Sequence, residues 1–439
     1  MAPPPVHAQM PPGQRRLLKW PMYFAVMWML APLMLILIAP FSLQIKNEPL
    51  VYSYILLNAL AFCIGYRVCG LKSLEIVSEQ RHVKRVRTVI HRGFWLALII
   101  LPFAIFFYTG KSIFDIASIL DQREVYEDLA DVFQEESSTR KLVSLIRGFA
   151  APFTIAVIPL TTFYWSSLSR KTRWFAFGTA MTYVLLSAFR GTDKEMGDLI
   201  ILGFSGFAAR AAFLKARGKV TSKRDVAKTA LIASAAIAVF VSLFVFRKSE
   251  RLGGFVSFCL FGDAACFESG GTGGIGDIVN FGLAMFSSYL VQGYYGLSLA
   301  LPLDFEWTFG VGHSTPLQTI FGLFVDTKAI YEHGLMAQLR TVGWDDRFVW
   351  SSIFPVLASD VGFLGVPLLF LAIGSLYGRS WRIAVLQGHP AALMLFSLLT
   401  ILVLYIPANN QLAQSFDLYF AAIFWLTTFV MRKFQYVSR

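Results

Sequence analysis

Charge is scarce in this chain. Only 15% of its 439 residues are Asp, Glu, Lys or Arg, while 56% are hydrophobic. An ordinary soluble domain carries about a quarter of its residues as charges, so that class is excluded. Cysteine is scarce as well; the four present form no metal-ligand pattern. No Asp-x-Asp occurs, the nearest forms being Asp193-Lys-Glu195 and Asp304-Phe-Glu306, so nothing resembles the divalent-metal site of nucleotide-sugar transferases. The glycine cluster at Gly262–Gly276 (with Gly270, Gly271, Gly273 and Gly274) lacks a following Gly-Lys-Ser/Thr and is no P-loop. No Ser/His/Asp arrangement stands out. The first apolar block has no small-x-small exit and reads as an uncleaved span. Short alternating segments, the mark of a transmembrane barrel, are missing too.

What the chain has is apolar blocks of about 17–25 residues, the length of helix that crosses a hydrocarbon core. Spans read near 22–43, 50–69, 93–109, 148–166, 174–189, 198–214, 229–246, 362–378, 391–408 and 416–431. The fold expected is an all-α polytopic membrane protein with about ten transmembrane helices. Seven spans fill 1–246, a long outer loop occupies 247–361, and three spans fill 362–439. The net charge of +12 points to nucleic acid only until its distribution is read. With the N-terminus cytoplasmic, 25 of the 39 Lys and Arg fall inside and 24 of the 27 acids fall outside. The basic bias sets both termini in the cytoplasm, and no nucleic-acid partner is expected. The spans carry almost no charge, which argues against a pump or an ion-coupled carrier. No inverted repeat is visible.

Two outer segments are long. Residues 110–147 mix acids (Asp115, Asp121 through Glu136) with apolar residues such as Ile113, Phe114 and Leu120, a pattern for one or two amphipathic helices or a solvated acidic face. Residues 247–361 include an uncharged run, Ile278 to Leu303, long enough to cross. A crossing there would strand Asp304 and Glu306 inside without a basic neighbour and need a return through 307–325, giving twelve spans. The preferred reading keeps ten, with 279–303 and 307–325 as helices or re-entrant segments over the bundle. Cys259 and Cys266 are either disulfide-bonded, in an oxidising compartment, or free thiols.

Several motifs could carry chemistry. Arg190-Gly-Thr-Asp-Lys-Glu195 is a tight outer turn in which Arg190 and Lys194 suit an anionic headgroup or diphosphate, or simply cap two helices. Arg247-Lys-Ser-Glu-Arg251 puts basic residues outside, against the topological trend; a lipid-linked anion or snorkelling explains them. The stretch from Tyr289 to Gly296, with Tyr294 and Tyr295, leads towards Trp307–Ser314. Its aromatic rings beside small and polar residues suit a sugar face or an interfacial belt. His313 is a candidate general base, with His333 its rival and a structural role the plain alternative. Arg340 and Arg347 are further diphosphate candidates, and Asp360 reads as a helix N-cap.

Three of these features occur together: Arg190-Gly191 after a central span, Gly310-Val-Gly-His313 in the outer loop, and Asp360-Val-Gly-Phe-Leu-Gly365 entering the next span. Together they resemble the Wzy-type O-antigen and oligosaccharide repeat-unit polymerases, over roughly 180–380. The resemblance implies a metal-independent glycosyltransferase of the bacterial inner membrane that needs no cofactor. Its donor and acceptor would be undecaprenyl-diphosphate-linked glycans on the outer face; membrane lipids and a chain-length regulator are further candidate partners. His313 would take the proton from the attacking sugar hydroxyl, and Arg190 would offset charge on the leaving diphosphate. Lys194, Arg247, Arg251 and Arg340 would hold that diphosphate, with Tyr294 and Tyr295 against sugar rings. The sister O-antigen ligases carry His followed by Asn, Ser or Gln, which His313-Ser314 fits, but Gly322 stands two places early for their next glycine. A ligase, or a flippase for lipid-linked sugars, is the alternative.

Overall fold

The computed structural model describes residues 12–38, 45–68, 80–115, 138–219, 223–260, 265–268, 274–345 and 349–437. Eight helices come first: α1 (Pro12–Ile38), α2 (Glu48–Val68), α3 (Gln80–Thr109), α4 (Ser138–Thr154), α5 (Val157–Tyr164), α6 (Arg170–Phe189), α7 (Lys194–Ala216) and α8 (Lys223–Leu252). A small antiparallel hairpin follows, β1 (Phe258–Leu260) against β2 (Ala265–Phe267). Next come the long α9 (Ile275–Ala300) and the short α10 (Thr315–Phe321), α11 (Thr327–His333) and α12 (Leu335–Gln338). The chain closes with α13 (Ile353–Gln387), α14 (Pro390–Leu404), α15 (Gln411–Gln414) and α16 (Phe416–Val437).

Among the described residues, six helical stretches are long and apolar enough to cross a membrane: Arg16–Ile38, Glu48–Val68, Gln80–Thr109, Thr139–Ser167, Lys194–Ala216 and Ile353–Gln387. The architecture is an all-α membrane-protein bundle, apart from the one hairpin. Helix α14 is apolar on every side and buried from Ala391 through Val403, so it stands at the centre with other helices around it. Helices α2 and α13 meet backbone to backbone. A Cβ on Gly65 would lie 1.9 Å from the Leu371 carbonyl oxygen, and one on Gly374 would lie 2.2 Å from that of Phe62. Small residues at such a crossing let two helices approach where lipid offers no hydrophobic drive to hold them together.

The region expected as one outer loop is partly bundle. Helix α8 continues through Leu252, so Arg247, Lys248 and Arg251 stand on helix rather than loop. The uncharged run forms α9, whose residues Val291–Ala300 are buried against α1, α2 and α13. The helix expected over 307–325 forms only at 315–321, started by the Ser314 hydroxyl and Pro316. Before it, Phe309 (φ 55°) and Gly310 (φ 79°) turn the chain in the left-handed region. Cys259 and Cys266 are disulfide-bonded across the hairpin. The acids from Asp121 to Glu136, together with Gly262, Gly270, Gly271, Gly273 and Arg347, lie outside the described residues.

Candidate functional site

The turn before α10 and the first part of α13 bring together a His–Asp pair. Its foundation is α13, which Gly362 (φ 66°) breaks between the second and third turns after its start at Ile353. Asp360 lies just before that break, not at the N-cap read from sequence; Ser352 holds the cap position. The Asp360 carboxylate gathers the 308–313 turn around itself. The N–H of Gly312 donates to Oδ1 at 3.0 Å, the N–H of His313 donates to Oδ2 at 2.9 Å, and the Thr308 hydroxyl contacts Oδ1. His313 Nδ1 stands 2.6 Å from Oδ2. A carboxylate only accepts, so Nδ1 carries a proton and Nε2 of the neutral ring is left to act as a base. Asp360 is 6% exposed and His313 29%, which puts a fixed acid behind a reachable imidazole. Gly312 makes the wrapping possible: a Cβ there would meet Thr308 Oγ1 at 2.1 Å.

A cavity of about 370 Å³ is lined by charged side chains of α4, α7 and α16 and of the turn at Arg190. Tyr108, Arg147, Arg190, Lys194, Asp198 and Asp417 are among its lining residues. Each of these cations has a carboxylate: Arg147 pairs with Asp417, Arg190 with Glu195, and Lys194 with Asp198 at 3.5 Å. Both guanidinium groups also lie over the Tyr108 ring, at 5.3 Å for Arg147 and 5.1 Å for Arg190. The Thr192 hydroxyl donates to Glu195 at 2.8 Å and fixes the turn. Helix α10 packs against α15 and α16, and Gln411, Gln414 and Ser415 line the cavity. One short stretch, 411–415, therefore adjoins both the His313 loop and the cavity.

An apolar groove of about 510 Å³ shares Lys194 and Gln411 with the cavity as lining residues. Its walls include Ile200, Ile201, Phe240, Phe244, Phe286 and Leu290. Basic residues of α8 crowd its polar end. Arg247 pairs with Asp193 at 2.7 Å and donates to the Thr192 carbonyl at 3.0 Å, while Arg251 donates to the Gly191 carbonyl. Lys248 turns into the groove, with its Nζ over Tyr289 at 4.8 Å and Phe244 at 5.6 Å. It stands beyond the apolar run 229–246. Burial pushes its ammonium down to about 8, with repulsion from Arg251 and Arg247 adding to the drop and Asp193 opposing it.

The chain matches no family model, no curated protein and no solved structure.

The structure gathers some of the residues singled out from sequence and separates others. Arg190, Lys194, Arg247 and Arg251 converge on one turn, as the motifs suggested. Arg340 does not join them: its contacts include the Tyr331 hydroxyl at 3.0 Å and Asp345 at 3.8 Å, within its own loop. Tyr294 and Tyr295 form no open aromatic face. Tyr294 has no exposed surface and donates to the Met29 carbonyl at 2.7 Å, and Tyr295 packs on Trp344 at 5.3 Å. The reason is that α9 is enclosed where they stand. The exposed rings near the His313 turn include Trp307 and Phe309, 4.8 Å apart. His333 contacts Glu306 in the open. Sequence reading missed Arg147, Asp198 and Asp417. The signal was their placement at the ends of apolar runs, but that placement suits snorkelling equally well.

Proposed function

We propose that the protein is a membrane glycosyltransferase that polymerises undecaprenyl-diphosphate-linked oligosaccharide repeat units on the outer face of a bacterial inner membrane. The observation that carries this reading is that an apolar groove and a cavity lined by charged side chains share Lys194 and Gln411 as lining residues. That shape fits a ligand with a long apolar chain and a polar head. In this reading ten helical spans enclose the site: α1, α2, α3, α4 with α5, α6, α7, α8, α13, α14 with its extension to 408, and α16. Helix α9 packs among them from the outer side. The Cys259–Cys266 disulfide supports an oxidising outer location for the hairpin, independently of the basic-residue bias.

The chemistry follows from the His–Asp pair. His313 Nε2 takes the proton of the acceptor sugar hydroxyl as its oxygen attacks the anomeric carbon of the donor. The bond from that carbon to the diphosphate oxygen breaks, and the diphosphate leaves with the electron pair. Asp360 keeps the ring oriented and offsets the imidazolium charge. Basic residues of α8 at the polar end of the groove offset negative charge as it grows on the leaving group.

A deletion strain tests the proposal. Surface glycan reduced to single repeat units supports it. Polymer that accumulates on the lipid without reaching lipid A indicates a ligase instead, and repeat units stranded on the inner leaflet indicate a flippase. With purified protein and defined lipid-linked repeat units, polymer should form without nucleotide sugar.

A further inference from the structure

The cations near the 190–195 turn are not equivalent. Arg147, Arg190, Lys194 and Arg247 each have a carboxylate partner, and Arg251 reaches a backbone carbonyl. A charge already matched attracts a further anion weakly. Lys248 is different. Among the described residues no carboxylate lies within ion-pair distance of it, and the nearest acid acting on it, Asp193, is engaged by Arg247 at 2.7 Å. Its neighbours are the rings of Tyr289 and Phe244 and two arginines of its own helix. A partly buried ammonium in apolar surroundings is unfavourable until an anion reaches it.

We infer that Lys248, rather than the arginines, seats the diphosphate of the lipid carrier, with the carrier's chain in the apolar groove and the uncharged sugar in the charge-matched cavity. The inference rests on the function proposed above and divides its ligand among three regions. Charge complementarity selects the occupant: the groove is apolar along its walls and cationic at one end. The cavity suits a sugar because its three ion pairs leave no net charge. Its neutral lining, Tyr183, Gln411, Gln414 and Ser415, offers both donors and acceptors.

The test uses the full-length protein in nanodiscs, with undecaprenyl diphosphate bearing no sugar as the probe and native mass spectrometry and a thermal shift as readouts. Wild type binds it. Lys248→Gln loses about 10- to 100-fold in affinity, the scale of one charge-assisted contact. Lys248→Arg recovers most of that loss, and Arg190→Gln stays within about threefold of wild type. Lys248→Met serves as the folding control: an apolar chain suits the groove, so it should melt no lower than wild type without ligand, yet gain no stabilisation from the probe. Loss in Arg190→Gln with Lys248→Gln unaffected overturns the assignment of Lys248 and leaves the proposed function standing. Wild type that ignores undecaprenyl diphosphate but holds phosphatidylglycerol through Lys248 overturns both.

Discussion

Asp360→Asn keeps the side-chain volume and reverses the hydrogen-bonding sense of one edge. The carboxylate receives Gly312 N–H at 3.0 Å and His313 N–H at 2.9 Å, and faces His313 Nδ1 at 2.6 Å. An amide has one accepting oxygen. With that oxygen towards Gly312 and Thr308, its NH2 meets the two nitrogens of His313. The ring escapes the conflict by moving its proton to Nε2, and Nε2 then cannot accept one from a sugar hydroxyl. A wrong tautomer of this kind lowers turnover by about 10⁴ in the serine hydrolases, so a fall of roughly 10³–10⁴ is expected here. The loop also loses charge-assisted bonds at about 1.5–3 kcal/mol each, which should appear as a lower melting temperature. The assay is polymer formation by purified protein from lipid-linked repeat units, with kcat and KM separated. The fall should lie in kcat, with KM changed little. If Asp360 acts through His313, the double variant with His313→Ala is no slower than His313→Ala alone. Asp360→Asn within tenfold of wild type, or a double variant far below the single, would refute the pairing.

Three further outcomes are expected. Because burial holds the Lys248 ammonium down to about 8, its charge fades as pH rises through that value, so affinity for undecaprenyl diphosphate should fall between pH 7 and 9.5. Arg247 and Arg251 on the same helix, Asp193 and Lys194 on the facing turn, and Tyr289 on α9 share that surface, so Lys248→Arg, flat across the same range, is the necessary comparison. Breaking the Arg147–Asp417 pair on one side, by Arg147→Met or Asp417→Asn, should destabilise by about 3–5 kcal/mol. The double variant should destabilise by less than the sum, as read from thermal melts. Finally, a membrane-impermeant maleimide added to intact spheroplasts should label Cys259 and Cys266 only after reduction; labelling confined to inverted vesicles contradicts the orientation.

Much of the bundle was legible because apolar run length is a strong, local signal. The helices at 48–68 and 194–216 fall close to where hydropathy put them, and the span expected at 362–378 lies within a longer helix, 353–387, that begins inside the expected loop. The fate of 278–303 was legible only as helix. Its burial depends on close approach to other helices, as where Gly293 meets Pro407, and such pairing across more than a hundred residues leaves no local trace. The Arg190 turn was visible because four charges in six residues interrupt apolar sequence. Asp360 was misread as a cap because its partners, Thr308, Gly312 and His313, stand about fifty positions earlier. Tyr294 and Tyr295 were misread because alternating aromatic and small residues suit a ligand face and a tightly packed helix equally well.

The left-handed break at Gly362 makes α13 behave as a post with a bracket at its head. The post is clamped to α2 through Gly65 and Gly374, and the bracket holds Asp360 and, through it, the whole 308–313 turn. The aim of His313 is therefore inherited from a contact within the bundle several turns away. A slight change in how those two rods cross would be magnified along the post and appear at the imidazole as misalignment, with none of the residues around the ring having changed.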